Sequence, residues 1–263
     1  MKVHGIGPVK ANDLTKNHGI HSISDLRTAV EKTPSLLNNQ QMIGLKYYED
    51  IQQQIPRLEM TLHEEFVLEI IADVTEGAFT AALVGSYRRG AHTSGDVDVL
   101  IGYPKEMTSK EAGKKYFEII RRFQETRYIT NILAKGEKKC MAVVKLASSR
   151  GGPPKARRLD LLLTPSEEYP YALLYFTGSD KFNIQVRKKA AAKGYSLSEH
   201  KLHSLNQSTE KESIHEFFKS SKNETPESQS AVTPYPPHMK SEKDILDFLD
   251  ISSEFVSPNN RNI

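Results

Sequence analysis

The stretch at residues 83–101, LVGSYRRGAHTSGDVDVLI, predicts the fold of the central part of the chain. It indicates a buried strand, a Gly-Ser turn, a short basic helical turn and a second buried strand. The second strand carries Asp96 and Asp98, which share one strand face because side chains alternate between faces. Two carboxylates this close repel each other, and a hard divalent cation such as Mg²⁺ can compensate their charge. We therefore expect a metal site on this strand.

A third carboxylate lies in a similar setting. Asp160 interrupts the apolar run at residues 156–164, ARRLDLLLT, which predicts another strand. Two metal ions held by a few carboxylates are a known device for phosphoryl and nucleotidyl transfer. The turn at Gly85 and Ser86 offers N–H groups and a hydroxyl to a phosphate, and Arg89 adds positive charge. Together these features indicate nucleotidyl transfer.

Each of these motifs is weak when taken alone. A lone Asp-x-Asp is usually a solvated turn or strand edge, and a lone Gly-Ser pair before a helix is usually only a turn. Their occurrence in order, with flanking strands and a third strand aspartate, favours the catalytic interpretation.

Size and composition limit the class of protein. The chain has 263 residues, enough for two or three small subdomains, and a formal charge of +3. The positive charge is concentrated in residues 1–200, which suits a polyanionic partner and equally an ordinary mixed surface. The single cysteine, Cys140, excludes a disulfide framework and a cysteine zinc cluster, and we expect it to be a buried thiol. With no apolar run long enough for a membrane span or a signal peptide, we expect a soluble intracellular protein.

The N-terminal residues 3–7, VHGIG, followed by Pro8, predict a helix-hairpin-helix. Gly5 and Gly7 permit a tight turn, and proline suits the first helical turn. Such a hairpin offers backbone N–H groups to a DNA phosphate without reading the sequence. A plain turn between two helices fits the same residues.

The remaining regular elements follow from apolar periodicity and capping residues. Helices are predicted at residues 22–32, 40–51, 56–76, 109–124 and 241–251, and strands at 128–137 and 138–147. Residues 206–240 are rich in Ser, Thr, Glu and Pro, which predicts a flexible insertion.

A second informative stretch is YFTGSDKFNIQVRKKA at residues 175–190. It predicts the end of one helix, a Thr-Gly break, and a second helix that begins near Ser179. Asn183 and Arg187 lie one turn apart on that second helix, so both can face one ligand. An amphipathic helix with a cap and no ligand is the alternative.

Residues 85–101 resemble the signature of family X DNA polymerases. Several further blocks match in the same order from about Val3 to the C-terminus, apart from the insertion. The resemblance implies an α+β fold with a helix-hairpin-helix segment at residues 1–54 and a polymerase-beta-like nucleotidyltransferase palm with a mixed or antiparallel sheet at residues 55–165. A small α+β C-terminal subdomain at residues 166–263 would close over the nucleotide.

The motifs and the resemblance together imply three sets of site residues. The catalytic, Mg²⁺-binding carboxylates are Asp96, Asp98 and Asp160. The nucleotide-binding residues are Gly85, Ser86, Arg89, Ser94, Gly95, Asp96, Tyr175, Phe176, Gly178, Asp180 and Asn183. The DNA-binding residues are Gly5, Gly7, Lys139, Arg158 and Arg187. Of these, Arg158 shares a strand face with Asp160, so it could orient that carboxylate or hold a primer phosphate.

The resemblance also implies cofactors, and two positions of the sequence depart from the family pattern. Two Mg²⁺ ions would bind at the carboxylates, and Na⁺ or K⁺ would bind to the backbone carbonyls of Val3 and Ile6. Gln54 stands where close relatives carry an arginine that reaches the nucleotide. Leu162 stands where they carry a second arginine, which takes part in domain closure.

The expected function is template-directed addition of a deoxynucleotide to a primer 3′-hydroxyl during base-excision or gap-filling repair. The implied partners are gapped or primed DNA, dNTPs and repair proteins, with the chain a monomer in the nucleus. No N-terminal lyase domain is recognisable in the sequence, so we expect no lyase activity. Two alternatives stay open: a template-independent nucleotidyltransferase and a non-catalytic DNA-binding module.

Overall fold

A computed structural model of the chain describes residues 3–147, 154–205 and 236–263. Two compact units are present, Met1–Pro165 and Ser166–Ile263. Most of the predicted insertion, residues 206–235, lies outside the described residues. Among the helices of the described part, none combines the length and apolarity that a bilayer crossing requires.

The first unit begins with a small helical bundle. Its helices are α1 Pro8–His18, α2 Ile23–Lys32, α3 Asn39–Lys46 and α4 Tyr48–Ile51. Ser22 and Asn38 cap α2 and α3 by accepting hydrogen bonds from N–H groups in the first turn, which satisfies donors that a helix leaves unpaired. The single helix predicted at residues 40–51 is wrong, because the chain breaks at Tyr47. The hydroxyl of Tyr47 instead donates to Asn131 Oδ1 at 3.0 Å.

A five-stranded mixed sheet forms the centre of the first unit. The strands of this unit are β1 Ile55–Pro56, β2 Thr80–Leu83, β3 Thr93–Ser94, β4 Val97–Tyr103, β5 Ile129–Lys135, β6 Lys139–Val144 and β7 Arg157–Pro165. The sheet order is β2-β4-β7-β6-β5, with β4 and β7 parallel and the other pairs antiparallel. The short strands β1 and β3 pair separately. The predicted α+β class with a mixed sheet is confirmed.

Strand alternation places the core on one sheet face. Val97 and Val99 on β4 and Leu159 and Leu161 on β7 are fully buried and belong to one apolar cluster. Two long helices, α5 Arg57–Thr75 and α7 Ser109–Glu125, contribute side chains to the same cluster. Along the chain, a four-residue helix, α6 Gly85–Arg88, comes after α5 and before α7. The intervening residues of β4 and β7 face the other side, where the acidic residues lie. Cys140 on β6 is buried, as predicted.

The second unit has its own apolar core. Its elements are helices α8 Tyr169–Thr177, α9 Asp180–Ala192 and α10 Glu242–Phe248, the hairpin strands β8 Tyr195–Leu197 and β9 Leu202–Ser204, and 3₁₀ helices at Ser253–Val256 and Pro258–Arg261. Phe182 and Val186 of α9 pack with Ile245 and Leu246 of α10. The buried Arg261 donates to Glu242 Oε1 at 2.6 Å and so ties the C-terminal segment to α10.

Candidate active site

Three aspartates meet on the face of the sheet opposite the main core. Asp98 on β4 lies directly opposite Asp160 on β7, because these two strands are parallel and in register. Asp96 immediately precedes β4. The buried Val97 between Asp96 and Asp98 points into the core, which sends both carboxylates to the other face. The structure therefore brings together the three carboxylates that the sequence singled out.

Burying the negative charge of this cluster costs free energy. Burial, together with the neighbouring carboxylates of Asp96 and Asp160, raises the pKa of Asp98 to about 7. A carboxyl group in this state resists ionisation unless a cation compensates it. The cluster therefore has the electrostatics of a cation site.

Two basic side chains already contact the cluster. Nη2 of Arg158 donates to Oδ2 of Asp96, whereas the sequence suggested Asp160 as its partner. The ammonium of Lys139, predicted only as a DNA contact, lies 3.4 Å from Oδ2 of Asp160. Both pairs join residues that are close only because of the strand order. Periodicity along one strand could not reveal them.

The carboxylates fit a hard divalent cation. Oδ1 of Asp160 is buried and has no hydrogen-bond partner within the described residues. An unpaired buried oxygen beside a second, poorly ionised carboxylate is the type of donor that Mg²⁺ accepts. The described part of the chain contains no preassembled group of three or more His, Cys, Asp or Glu ligands. Two of the three carboxylates are paired with basic side chains instead, Asp96 with Arg158 and Asp160 with Lys139.

The Gly-Ser turn lies against the acidic strand. Gly85 begins α6 with φ of +62°, and a Cβ atom there would collide with Oδ2 of Asp98. Glycine is therefore required for both the backbone conformation and the close approach. The hydroxyl of Ser86 donates to Ser94 Oγ at 3.0 Å, which joins two of the predicted nucleotide-binding residues. Arg89 follows the last residue of α6, and Gly95 is exposed.

The hairpin loop at residues 3–7 is fixed by backbone contacts. Val3 O accepts from Ile6 N at 3.0 Å, and Gly5 O accepts from Gln41 Nε2 at 3.0 Å. The loop packs so closely on α3 that a Cβ on Gly44 would collide with the carbonyl oxygen of His4. Gly7 precedes α1 at its N-cap position. The monovalent cation site at Val3 and Ile6 stays a prediction.

His4 is a neighbour of the cluster that the sequence did not indicate. Burial and the nearby Arg158 lower the pKa of His4, and the charge of Asp160 opposes them. Its Nε2 atom is buried without a hydrogen-bond partner in the described chain. The hairpin loop therefore lies within electrostatic reach of the carboxylates.

A buried ion pair holds the start of β7. Arg157 is 2% exposed and donates through Nε and Nη2 to the two carboxylate oxygens of Glu59 at 2.6 and 2.7 Å. Its Nη1 also donates to the carbonyl of Gln53 at 3.1 Å. Burial alone would raise the pKa of Glu59, but the nearby His63, 3.8 Å away, and the hydrogen bonds from Arg157 outweigh it and lower that pKa to about 2. This pair connects α5 and the preceding loop to the strand that carries Asp160.

In the second unit, several residues predicted to bind nucleotide or DNA lie around Tyr175. The side-chain amide of Asn183 donates to Tyr175 O at 2.8 Å, and the guanidinium of Arg187 lies 5.0 Å from the centre of the Tyr175 ring. Nη2 of Arg187 is 3.8 Å from Oε2 of Glu199. The rings of Tyr175 and Phe176 are 5.0 Å apart and nearly perpendicular. These contacts fix the orientation of Asn183 and Arg187 on α9.

The other predicted residues of this unit lie at the break between α8 and α9. Gly178 has φ of +64°, a conformation that glycine adopts readily. Ser179 caps α9 by accepting from Phe182 N at 3.4 Å, and Asp180 is exposed in its first turn. The Thr-Gly break and the helix start are where the sequence predicted them.

Known proteins match the chain along most of its length. Three family models match it, the fingers domain of DNA polymerase lambda at residues 1–52, the DNA polymerase beta palm at residues 54–166 and the DNA polymerase beta thumb at residues 172–262. A crystal structure of Leishmania infantum polymerase beta in a ternary P/T complex has a TM-score of 0.82 and 30% identity, and the match covers 100% of this chain and 96% of that chain. This chain belongs to the DNA polymerase beta/lambda family.

Further members of the family give the same result. A ternary gap complex of Leishmania infantum polymerase beta has a TM-score of 0.83 and 30% identity, covering 99% of this chain and 87% of that one. DNA polymerase lambda of Rattus norvegicus is 34% identical over 198 residues, which is 73% of this chain. The chain spans about a third of the length of that rat relative (32%). The family resemblance drawn from the sequence motifs is confirmed.

The family match adds context to the site. All three aspartates fall in the part matched by the polymerase beta palm, and the residues around Tyr175 fall in the part matched by the thumb. The individual roles assigned to these residues stay predictions.

Proposed function

We propose that this chain is a DNA-directed DNA polymerase that adds a deoxynucleotide to the 3′-hydroxyl of a primer in gapped or primed DNA. The observation that carries the proposal is the register pairing of Asp98 with Asp160, with Asp96 at the edge of the same strand pair. The family membership supports it, as do the P/T and gap complexes of the similar polymerase beta structures.

The reaction joins the primer to the nucleotide and releases pyrophosphate. The primer 3′-oxygen bonds to the α-phosphorus, and the bond from that phosphorus to the oxygen bridging to the β-phosphate breaks. The three aspartates would hold two Mg²⁺ ions, which when bound lower the pKa of the hydroxyl and neutralise charge on the triphosphate. In this proposal, Asp160 accepts the proton of the 3′-hydroxyl.

The turn beside the acidic strand binds the triphosphate in this proposal. The N–H groups of the Gly85 turn, the hydroxyl of Ser86 and the charge of Arg89 are donors within four residues of one another. Gly95 is exposed and could present its backbone to the same group. Because Gly85 contacts Asp98, the phosphate-binding turn and the metal-binding strand are held in a fixed relation.

DNA and base-pair contacts complete the proposal. The hairpin at residues 3–7 binds a backbone phosphate, and Arg158 acts at the primer strand. In the second unit, Tyr175 and Phe176 contact the sugar of the incoming nucleotide, and Asn183 and Arg187 contact the new base pair. A guanidinium held against a tyrosine ring loses little freedom on binding, which favours a defined contact.

Extension of a one-nucleotide-gapped duplex in Mg²⁺ tests the function. The wild type is compared with Asp160→Asn and with the control Asp73→Asn, which changes an exposed carboxylate. We expect templated single-nucleotide addition by the wild type and the control, and none by Asp160→Asn. Unchanged extension by Asp160→Asn would contradict the metal-site assignment, and equal extension of single strands would indicate a template-independent transferase. Nuclear localisation and the lack of lyase activity stay predictions.

A further inference from the structure

Lys139 occupies a specific position beside the third aspartate. It is the first residue of β6, directly opposite Leu162 on β7, while Met141 lies opposite Asp160. Lys139 and Asp160 are therefore diagonal neighbours on one sheet face, a spacing that a long side chain can cross. The ammonium lies 3.4 Å from Oδ2 of Asp160. Leu162, the residue directly opposite Lys139, is uncharged and cannot form an ion pair with it.

The two oxygens of Asp160 have different surroundings. Oδ2 faces the ammonium of Lys139, while Oδ1 is buried without a partner in the described chain. The side chain of Asp160 is 12% exposed and that of Lys139 is 51% exposed. The lysine thus reaches in from solvent, and it can withdraw without opening the core.

We propose that Lys139 is a positioning residue that holds Asp160 in the metal-free protein and competes with the divalent cation for it. The inference rests on the proposed metal site and adds a competitor built into the chain. When a cation binds Asp160, the ammonium leaves Oδ2 and can bind an anion such as a DNA phosphate. The charge of the lysine therefore opposes metal binding until that exchange occurs.

Binding of Mn²⁺ to the DNA-free protein tests the inference, measured by electron paramagnetic resonance of free Mn²⁺ or by calorimetry. Lys139→Met removes the charge and keeps a long apolar side chain, while Lys139→Arg keeps the charge. Lys138→Met is the matched control, since Lys138 is exposed and adjacent. We expect Lys139→Met to bind Mn²⁺ about two- to fivefold more tightly, the effect of losing one partly exposed ion pair. Lys139→Arg and Lys138→Met should match the wild type.

A parallel titration of Asp160→Asn separates the two proposals. Loss of Mn²⁺ binding in Asp160→Asn with equal affinity in the wild type and Lys139→Met would overturn the role of Lys139 and leave the metal site intact. Equal Mn²⁺ binding in the wild type and Asp160→Asn would overturn the metal site and this inference with it. Tighter binding in both lysine-to-methionine variants would also overturn the inference, because it would show a general charge effect.

Discussion

Asp98 on β4 and Asp160 on β7 lie directly opposite each other on two adjacent parallel strands. Parallel pairing places residues that are distant in sequence side by side at the same height in the sheet. The pairing also places two like charges next to each other on a face where Asp96 adds a third. The folded chain therefore keeps three carboxylates that repel one another close together, an arrangement typical of a site that binds a cation.

Asp98→Asn should stabilise the metal-free protein at pH 8. Asparagine keeps the shape of the side chain but removes a charge whose ionisation is opposed by burial, Asp96 and Asp160. We expect a gain of about 1–2 kcal/mol in the free energy of unfolding, measured by urea denaturation with a chelator present. The exposed control Asp73→Asn should change stability by no more than about 0.5 kcal/mol. A loss of stability in Asp98→Asn would show that the carboxylates do not repel.

Gly85→Ala should abolish nucleotide addition. The new Cβ would collide with Oδ2 of Asp98 and would also strain the backbone at φ of +62°. Gly77→Ala is the matched control, because Gly77 has φ of +74° and open space around it. Both variants should lose about 1 kcal/mol of stability from the backbone, while only Gly85→Ala should lose gap-filling activity. Equal activity in the two variants would contradict the contact with Asp98.

Glu59→Gln should destabilise the first unit in a pH-dependent way. Removing one partner of the buried pair with Arg157 should cost about 3 kcal/mol at pH 7, measured by urea denaturation. The folded-state pKa of Glu59 is depressed to about 2 from an ordinary 4.5, so its contribution is complete above pH 4.5 and is lost as the pH falls toward 2. The difference from the wild type should therefore narrow below pH 4.5. A difference that grows with acidity would contradict this ion pair.

Arg187→Ala should impair correct nucleotide insertion more than it impairs primer binding. The side chain is held by the Tyr175 ring and by Glu199, so its removal takes away the oriented base-pair contact that we propose. We expect roughly a tenfold loss in kcat/KM for the correct nucleotide, the effect of one hydrogen bond to a charged group, and less than about a threefold change in Kd for DNA. Lys188→Ala, at the next and exposed position, is the control. An unchanged ratio of correct to incorrect insertion would argue against this role.

Local patterns in the sequence were sufficient to predict most of the long helices and strands of the first unit. The alternation around Val97 and Val99 predicted a strand with both aspartates on one face, and Ser22 marked the start of a helix. The stretch at residues 40–51 was predicted wrongly as one helix, because the break at Tyr47 comes with a contact to Asn131 on β5. Periodicity contains no information on such a distant partner.

The sequence by itself singled out the candidate site residues: three aspartates on or beside strands, a glycine turn before a short helix, and a capped helix with Asn183 and Arg187. Only the tertiary structure decided how they are paired. Arg158 contacts Asp96, Lys139 contacts Asp160 and Arg157 contacts Glu59. Each of these pairs joins residues from different elements, so it depends on strand order and register. Those are properties of the packed chain, because local periodicity specifies the face of a side chain but not its neighbour across the sheet.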